Sequence, residues 1–92
     1  MKVTVHFHGI LADWVGVSRA EIELPSGATL ADLLSQIRKR FGAHMPARLK
    51  EKQDSEFQQA FWAVKGALPV SDPRTIVEDG EEWRFFFPLA GG

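Results

Sequence analysis

The stretch EEWRFFFPLAGG, residues 81–92, closes the sequence and sets the first constraint on its fold. Aromatic residues at every second position predict a β-strand with one face buried in a core. These residues are Trp83, Phe85 and Phe87. Pro88 has no backbone N–H to donate to a sheet, so regular pairing should end there. The sequence therefore predicts an apolar final strand followed by a short flexible tail, residues 88–92.

Two segments at the start of the chain show the same alternation. The first, KVTVHFH at residues 2–8, places apolar side chains on one face and polar ones on the other. The second, RAEIEL at residues 19–24, repeats the pattern. Only a short break, around residues 9–16, separates them. The two segments are therefore expected to pair as the strands of a β-hairpin.

The region after the hairpin predicts one amphipathic helix. Apolar residues recur at helical spacing from Leu30 to Phe41. Thr29 suits the N-cap because its hydroxyl can accept a hydrogen bond from a free backbone N–H of the first turn. Asp32 adds negative charge near the positive end of the helix dipole. Gly42 suits the C-terminal cap, so the helix is expected to end there.

The rest of the chain completes the order of elements. Residues 43–58, AHMPARLKEKQDSEFQ, are polar and weakly periodic, which predicts a loop with room for a short helical turn. FWAVKGALPV, residues 61–70, predicts a strand, a Lys65–Gly66 turn and a short return strand, and EDGEE, residues 78–82, predicts another turn. A single helix among these strands predicts one two-layer α+β domain, residues 1–92.

Composition argues against several classes of function. The chain has 11 Lys and Arg against 12 Asp and Glu, so no global field favours nucleic acid or acidic membrane as a partner. It has no cysteine, which removes disulfides, thiolate metal sites and a thiol nucleophile. His6 and His8 share one strand face, but without a third ligand a polar sheet surface is favoured over a metal site. The basic cluster Arg38, Lys39 and Arg40 is explained by a solvated helix end.

No segment predicts export or membrane insertion. The stretch MKVTVHFHGI alternates apolar and polar residues where a signal peptide needs a continuous apolar stretch. No run of apolar residues approaches membrane-spanning length. The expectation is a soluble, cytoplasmic protein.

The tail carries a chemistry of its own. Glycine lacks Cβ, so Gly91 and Gly92 can enter a narrow channel and adopt torsions that other residues refuse. The four residues after Pro88 extend about 13 to 14 Å, enough to carry a terminal carboxylate into another protein's active site. That carboxylate is ionised at neutral pH and is a poor electrophile until it is activated. The sequence has no glycine loop that would cradle a phosphate, so activation is expected from a partner enzyme.

VEDGEEWRFFFPLAGG, residues 77–92, resembles the end of the MoaD/ThiS-like sulfur carriers, small proteins related to ubiquitin, and most of all the small subunit of molybdopterin synthase. The shared features are an Asp–Gly turn, an aromatic strand, a proline, an aliphatic residue and a terminal glycine pair. FHGILADWVG, residues 7–16, looks like the first strand and following turn of the same family. The resemblance implies the ubiquitin-like β-grasp fold, a mixed four- to five-stranded sheet with one main helix on one face. Residues 43–60 make a longer helix-to-strand connection than compact members have.

The resemblance also implies a function. An E1-like adenylating enzyme would activate the Gly92 carboxylate with ATP, and sulfur transfer would convert it into a thiocarboxylate. In molybdopterin (molybdenum cofactor) biosynthesis, such equivalents convert a cyclic pterin precursor into a dithiolene inside the large subunit of molybdopterin synthase. The chain would then be a non-catalytic co-substrate, with no complete active site and no bound cofactor.

Other functions would use the same carboxylate. Relatives carry sulfur for cysteine, thiamine or tRNA thiolation, and ubiquitin-like modifiers are joined to lysines of target proteins. Because carriers and modifiers both need adenylation, the tail sequence does not separate them. A further alternative, a β-grasp interaction domain with an inert end, leaves the tail unused.

A docking surface is expected beside the tail. Phe86 should point away from the core aromatic residues, because neighbouring strand residues face opposite sides of a sheet. It is predicted to begin a partner-binding apolar patch that continues through Pro88, Leu89 and Ala90. The alternative is that local loops cover the Phe86 side chain. With the terminal glycine pair as the reactive end, these residues form the candidate site.

Overall fold

The structure, a computed structural model, describes residues 1–88, so the predictions on Leu89, Ala90, Gly91 and Gly92 lie outside the described residues. The strands are β1 (Lys2–Phe7), β2 (Arg19–Glu23), β3 (Trp62–Lys65), β4 (Leu68–Val70) and β5 (Glu82–Phe86). The helices are α1 (Ile10–Val15), α2 (Leu30–Phe41), α3 (Ala47–Lys50) and α4 (Asp54–Gln59), with a 3-10 turn at Gly42–His44. Within residues 1–88, no helix combines the length and the apolar character needed to cross a bilayer.

The strands form one mixed sheet in the order β2-β1-β5-β3-β4. The last strand in sequence, β5, therefore lies at the centre of the sheet. It pairs in parallel with β1, where Trp83 lies opposite Val5, and antiparallel with β3, where Phe85 lies opposite Ala63. The pairs β1–β2 and β3–β4 are antiparallel, as predicted. The α+β class and the mixed sheet with its main helix packed on one face are confirmed.

One face of the sheet and α2 enclose the hydrophobic core. Trp83 and Phe85 are fully buried, as the alternation predicted, whereas Phe87 is half-buried. The Phe87 ring packs edge-on against Trp14, with 5.0 Å between ring centroids, and against Phe61, with 5.9 Å. Other fully buried core residues are Val3, Val5, Leu11, Leu33, Ile37, Leu49, Phe57 and Val77. Phe87 thus ties the residues that follow β5 to the core.

Helix α2 begins where the sequence predicted, because Thr29 and Asp32 form a reciprocal capping box. The Thr29 hydroxyl accepts a hydrogen bond from the Asp32 N–H (3.3 Å), and the Asp32 carboxylate accepts one from the Thr29 N–H (2.9 Å). Gly42 is the C-terminal cap, also as predicted. Its φ of −59° is right-handed, so the chain continues directly into the 3-10 turn.

The break predicted around residues 9–16 contains a helix. Gly9 and Gly16 flank α1 with φ angles of 59° and 83°, a left-handed region that favours glycine. Leu11 and Val15, one helical turn apart, are buried against the core. A helix of six residues gives too short a periodic signal to outweigh two flanking glycines, which predicted a loop.

The prediction of a loop at residues 43–58 is wrong. The 3-10 turn, α3 and α4 occupy most of this segment. Its buried apolar residues are Met45, Leu49 and Phe57. The longer connection is therefore a packed part of the domain, and its polar composition reflects the exposed sides of short helices.

Arg38 ties this connection to α2. Its Nη1 donates a hydrogen bond to Asp54 Oδ1 (2.9 Å). Its Nη2 donates to the carbonyl oxygens of Lys50 (2.7 Å) and Lys52. The guanidinium also lies 4.8 Å from the centroid of the Phe57 ring, within the range of a cation–π contact. The explanation of Arg38 as a solvated helix end is therefore wrong.

Replacing Phe57 tests whether the connection is part of the core. Phe57→Ala should lower the free energy of unfolding by about 3 to 5 kcal/mol, because it removes a fully buried ring and leaves a cavity. Phe57→Leu should cost less, about 1.5 kcal/mol. Urea unfolding measures both, with Gln59→Ala at an exposed position of α4 as the control, expected within about 0.5 kcal/mol of the wild type. A Phe57→Ala variant as stable as the wild type would contradict this packing.

The β3–β4 hairpin turns at Gly66 and Ala67, one residue later than predicted. Gly66 has a φ of 62°, which the tight turn requires and glycine supplies without strain. Lys65 therefore stays in β3, in register with Trp83 of β5. This position brings its ammonium group to the turn before β5, where Glu81 lies.

Glu81 holds the turn before β5. Its Oε1 accepts hydrogen bonds from the Glu78 N–H (2.7 Å) and the Trp83 Nε1–H (3.2 Å), and its Oε2 lies 3.2 Å from Lys65 Nζ. Burial raises the pKa of Glu81, but the hydrogen bonds from Glu78, Lys65 and Trp83 together outweigh it. The pKa of Glu81 therefore lies below its ordinary value of 4.5.

This lowered pKa predicts a pH-dependent contribution to stability. The ionised Glu81 stabilises the folded state above the ordinary pKa of 4.5, and that stabilisation is lost as the pH falls through the lower folded-state pKa. We expect Glu81→Gln to be less stable than the wild type at neutral pH, with the difference shrinking in acid. Urea unfolding across pH measures it, and Glu78→Gln is the control, since only the Glu78 backbone joins this contact. A stability difference between Glu81→Gln and the wild type that is the same at every pH would contradict this role of the Glu81 charge.

Candidate functional site

The sheet has a second face, opposite the core, which we call the outer face. Its residues occupy the alternate positions of strands whose other side chains are buried. They include Thr4, His6, His8, Arg19, Glu21, Trp62, Val64, Glu82, Arg84 and Phe86. All of these side chains are exposed or half-buried. The outer face is therefore the side of the sheet that can meet another protein.

One end of the outer face carries three aromatic rings, which we call the aromatic patch: His8, Trp62 and Phe86. Trp62 lies directly opposite Phe86 in the pairing of β3 with β5, and 65% of it is exposed. His8, just beyond β1, stacks on Phe86 with ring centroids 4.6 Å apart and planes 14° apart. Phe86 thus points away from Trp83 and Phe85, as predicted, and its half-buried ring is covered in part by His8.

The His8 ring is held in this patch with one nitrogen unsatisfied. Its Nε2 is buried and makes no hydrogen bond within residues 1–88. A buried polar nitrogen without a partner is destabilising, so such groups in proteins commonly find one in water, a ligand or another chain.

The middle of the outer face is charged. His6 lies opposite Arg19 in the β1–β2 pair and opposite Arg84 in the β1–β5 pair, which places three basic side chains in one row. The His6 Nε2 lies 2.7 Å from Glu82 Oε1. The hydrogen bond with His6 lowers the pKa of Glu82, and the charges of His6, Arg84 and Arg19 lower it further. Within the described residues, no cluster of three or more His, Asp or Glu side chains is placed to hold a metal ion.

The tail leaves the sheet beside the aromatic patch. Strands β1 and β5 run parallel, so their carboxyl ends lie at the same edge, where the His8 N–H donates to the Phe85 carbonyl (3.1 Å). Pro88, the last described residue, is half-buried and follows shortly after β5 ends at Phe86. The structure therefore brings Phe86 and Pro88 together at this edge. The other predicted site residues lie outside the part of the chain that the structure describes.

Sequence reasoning missed Trp62 as a member of this surface, and it placed His8 on a polar sheet face without its contact with Phe86. Alternation places Trp62 on the opposite face from Phe61 and Ala63, which are buried in the structure, but all three are apolar, so the sequence does not say which face is exposed. The sequence does place His8 on the polar face of its strand, but its contact with Phe86 depends on the pairing of β1 with β5. Exposed aromatic side chains bordered by polar and charged ones are typical of a surface that binds a protein.

Neither a protein-family model nor a curated protein matches the sequence. Solved structures match it over nearly its whole length. SAMP1 from Haloferax volcanii, a small archaeal modifier protein, superimposes with a TM-score of 0.81 at 17% identity, and the match covers 100% of both chains. A protein from Pyrococcus furiosus, provisionally described as molybdopterin converting factor, subunit 1, gives a TM-score of 0.74 at 28% identity. That match covers 97% of this chain and 99% of the other.

A third neighbour is part of an assembly. In the complex of subunits 1 and 2 of molybdopterin-converting factor from Helicobacter pylori, one chain gives a TM-score of 0.53 at 20% identity, with 100% of both chains covered. This chain therefore has the ubiquitin-like β-grasp fold. Its structural neighbours include small archaeal modifier protein 1 and molybdopterin converting factor, subunit 1, and the latter belongs to the group that the sequence resembles, so that prediction is confirmed.

Proposed function

We propose that this chain is a sulfur carrier that acts through the carboxylate of Gly92, taken as the carboxyl terminus of the protein. The observation that carries the proposal is the position of the Gly91–Gly92 pair shortly beyond β5, the central strand of a β-grasp fold. A strand paired on both edges fixes the point at which the tail begins. Residues without side chains then offer a visiting enzyme the least obstruction. The likeness to molybdopterin converting factor, subunit 1, supports the proposal.

Two steps performed by partner proteins would make the carrier reactive. An E1-like adenylating enzyme would join a Gly92 carboxylate oxygen to the α-phosphorus of ATP and release pyrophosphate. A sulfide equivalent from a sulfur-donating partner would then attack the acyl carbon and release AMP, which leaves a thiocarboxylate. This chemistry uses ATP on the activating enzyme and no cofactor bound to the carrier. We place it in the cytoplasm, where ATP is available.

Molybdopterin (molybdenum cofactor) biosynthesis is the destination that we propose for the sulfur. The Pyrococcus furiosus neighbour is described as a subunit of molybdopterin converting factor, and the Helicobacter pylori neighbour is a complex of its two subunits. The large subunit of molybdopterin synthase is therefore the proposed partner, with this chain as its non-catalytic small subunit. Carriers for cysteine, thiamine or tRNA thiolation would form the same thiocarboxylate and pass the sulfur to another acceptor.

The outer face is the proposed docking surface for these partners. The exposed ring of Trp62 supplies most of the accessible area of the aromatic patch. Phe86 continues the patch toward Pro88, and we propose that Leu89 and Ala90 extend it along the tail. The outer face carries Arg19 and Arg84 beside Glu21 and Glu82, and this mixed charge would favour a partner surface with the complementary arrangement of charges. Apolar contact would then supply affinity while charge fixes the orientation.

A second candidate function is that of a ubiquitin-like protein modifier. The likeness to a small archaeal modifier protein favours it. In this function the adenylated Gly92 would be attacked by the amine of a target lysine, which forms an amide and releases AMP. Activation is common to both candidates, so only the product distinguishes a carrier from a modifier.

Deleting Gly92 separates the chemistry of the tail from the fold. The shortened protein should unfold at the same urea concentration as the wild type, because a terminal residue adds almost nothing to core burial. It should form no acyl-adenylate, because the carboxylate lies one residue short of the activating site. ATP–pyrophosphate exchange with the E1-like enzyme measures activation, and Lys39→Ala, at an exposed position of α2 away from the tail, is the control that should react normally. Activation of the shortened protein at the wild-type rate would contradict the role of Gly92.

Replacing Trp62 tests the docking surface. Trp62→Ala should weaken binding to the large subunit of molybdopterin synthase by about 2 kcal/mol, roughly 30-fold, as expected for an aromatic anchor. Ile76→Ala removes an exposed apolar residue outside the outer face and should leave binding unchanged. Titration calorimetry measures both variants, and urea unfolding checks that each is folded. Wild-type affinity in Trp62→Ala would exclude the aromatic patch from the interface.

A further inference from the structure

A groove runs beside α4 at the edge of the sheet, where Trp62 of the aromatic patch also lines it, and we call it the α4 groove. It has a volume of about 430 Å³ and lies between α2, α4 and the β3–β4 hairpin. Its apolar floor includes Leu30, Leu34, Phe61 and Val70. Its polar rim includes Ser55 and Gln59 of α4. One wall therefore comes from α4, in the long connection at residues 43–60.

The groove begins close to the point where the described chain ends. Phe61 lines it and also contacts Phe87, with 5.9 Å between the two ring centroids. Only Pro88 separates Phe87 from the segment 89–92. The four residues of this segment extend about 13 to 14 Å, enough to run along a groove that starts at Phe61.

The alternation of β5 gives the segment a direction. Phe87 packs on the core side, against Phe61. This packing brings the chain to the edge of the α4 groove one residue before Pro88. Pro88 has no N–H for the sheet ladder, so the residues after it are not committed to pairing with β1 or β3. Leu89 is the one large side chain in the segment LAGG, and an apolar floor suits it.

We propose that the α4 groove binds the protein's own final segment, residues 89–92, with the Leu89 side chain on the apolar floor and the glycine backbone along the polar rim. The Ser55 hydroxyl and the Gln59 amide can donate hydrogen bonds to its carbonyl oxygens or to the terminal carboxylate. The inference rests on the proposed function, because it makes the groove a store for the acyl end, from which Leu89 and Ala90 are released when a partner binds them. A docked segment withholds the Gly92 carboxylate from the activating enzyme in proportion to the docked fraction.

Nuclear magnetic resonance of the full-length protein tests the contact directly. We expect nuclear Overhauser signals between the Leu89 methyl protons and the Phe61 ring protons. Ser55→Trp, which fills the groove, should abolish them, and Gln59→Trp provides a second blocked variant. Glu56→Trp changes an exposed residue of the same helix that does not line the groove, so this matched control should retain them.

Two results would overturn the inference. The first is the absence of Leu89–Phe61 signals together with identical Leu34 and Val70 methyl shifts in the wild type and in Leu89→Ala. The second is Leu89–Phe61 signals that arise only between differently labelled molecules in a mixed sample. That result would assign the groove to a second copy of the chain.

The consequence for activation is measured separately. Ser55→Trp should be adenylated about two- to fivefold faster than the wild type at low carrier concentration, because no docked form competes with the enzyme. Glu56→Trp should react at the wild-type rate. Equal rates for the wild type and Ser55→Trp would show that the groove does not store the acyl end. The nuclear magnetic resonance experiment needs no enzyme, so it tests tail docking independently of adenylation. A protein whose tail docks but which is never adenylated would contradict the proposed function and not the docking.

Discussion

The position of β5 at the centre of the sheet is the constraint on which the rest of the structure depends. The β1–β2 and β3–β4 pairs join into one sheet only through this strand. Its core face buries Trp83 and Phe85, and full burial of a side chain such as Phe85 contributes about 1.5 to 3 kcal/mol. Its outer face supplies Phe86 to the aromatic patch. One strand therefore anchors the core, the docking surface and the start of the tail.

The fold could be predicted from sequence wherever its signal is local. Alternation located the strands, and Thr29 with Asp32 marked the start of α2, because a capping box involves only residues three apart. Residues 43–58 gave no such signal. Their helices are short, and distant contacts hold them, above all the hydrogen bonds of Arg38 and the burial of Phe57. Apolar periodicity over so few residues does not distinguish a helix from a loop.

Part of the candidate site could also be predicted from local sequence, and part depends on strand pairing. Alternation alone predicts that Phe86 points away from the core. The aromatic patch also needs Trp62 and His8, which are far apart in sequence and meet only when β5 pairs with β3 and lies beside β1. The basic row around His6 has the same origin, since strand register decides which side chains are neighbours. The role of Gly92 stays a prediction from the tail sequence and the family resemblance.

The proposed function combines a passive body with a reactive end, because the fold supplies position and docking while partner enzymes supply the catalysis. Its central claim is that the Gly92 carboxylate becomes a thiocarboxylate. Intact-mass analysis of the protein purified from its native host tests this claim most directly. We predict a mass increase equal to the exchange of one oxygen for one sulfur, localised to Gly92 by fragmentation. A Gly92 carboxylate that stays unmodified, or is found only as an amide with lysine, would contradict it.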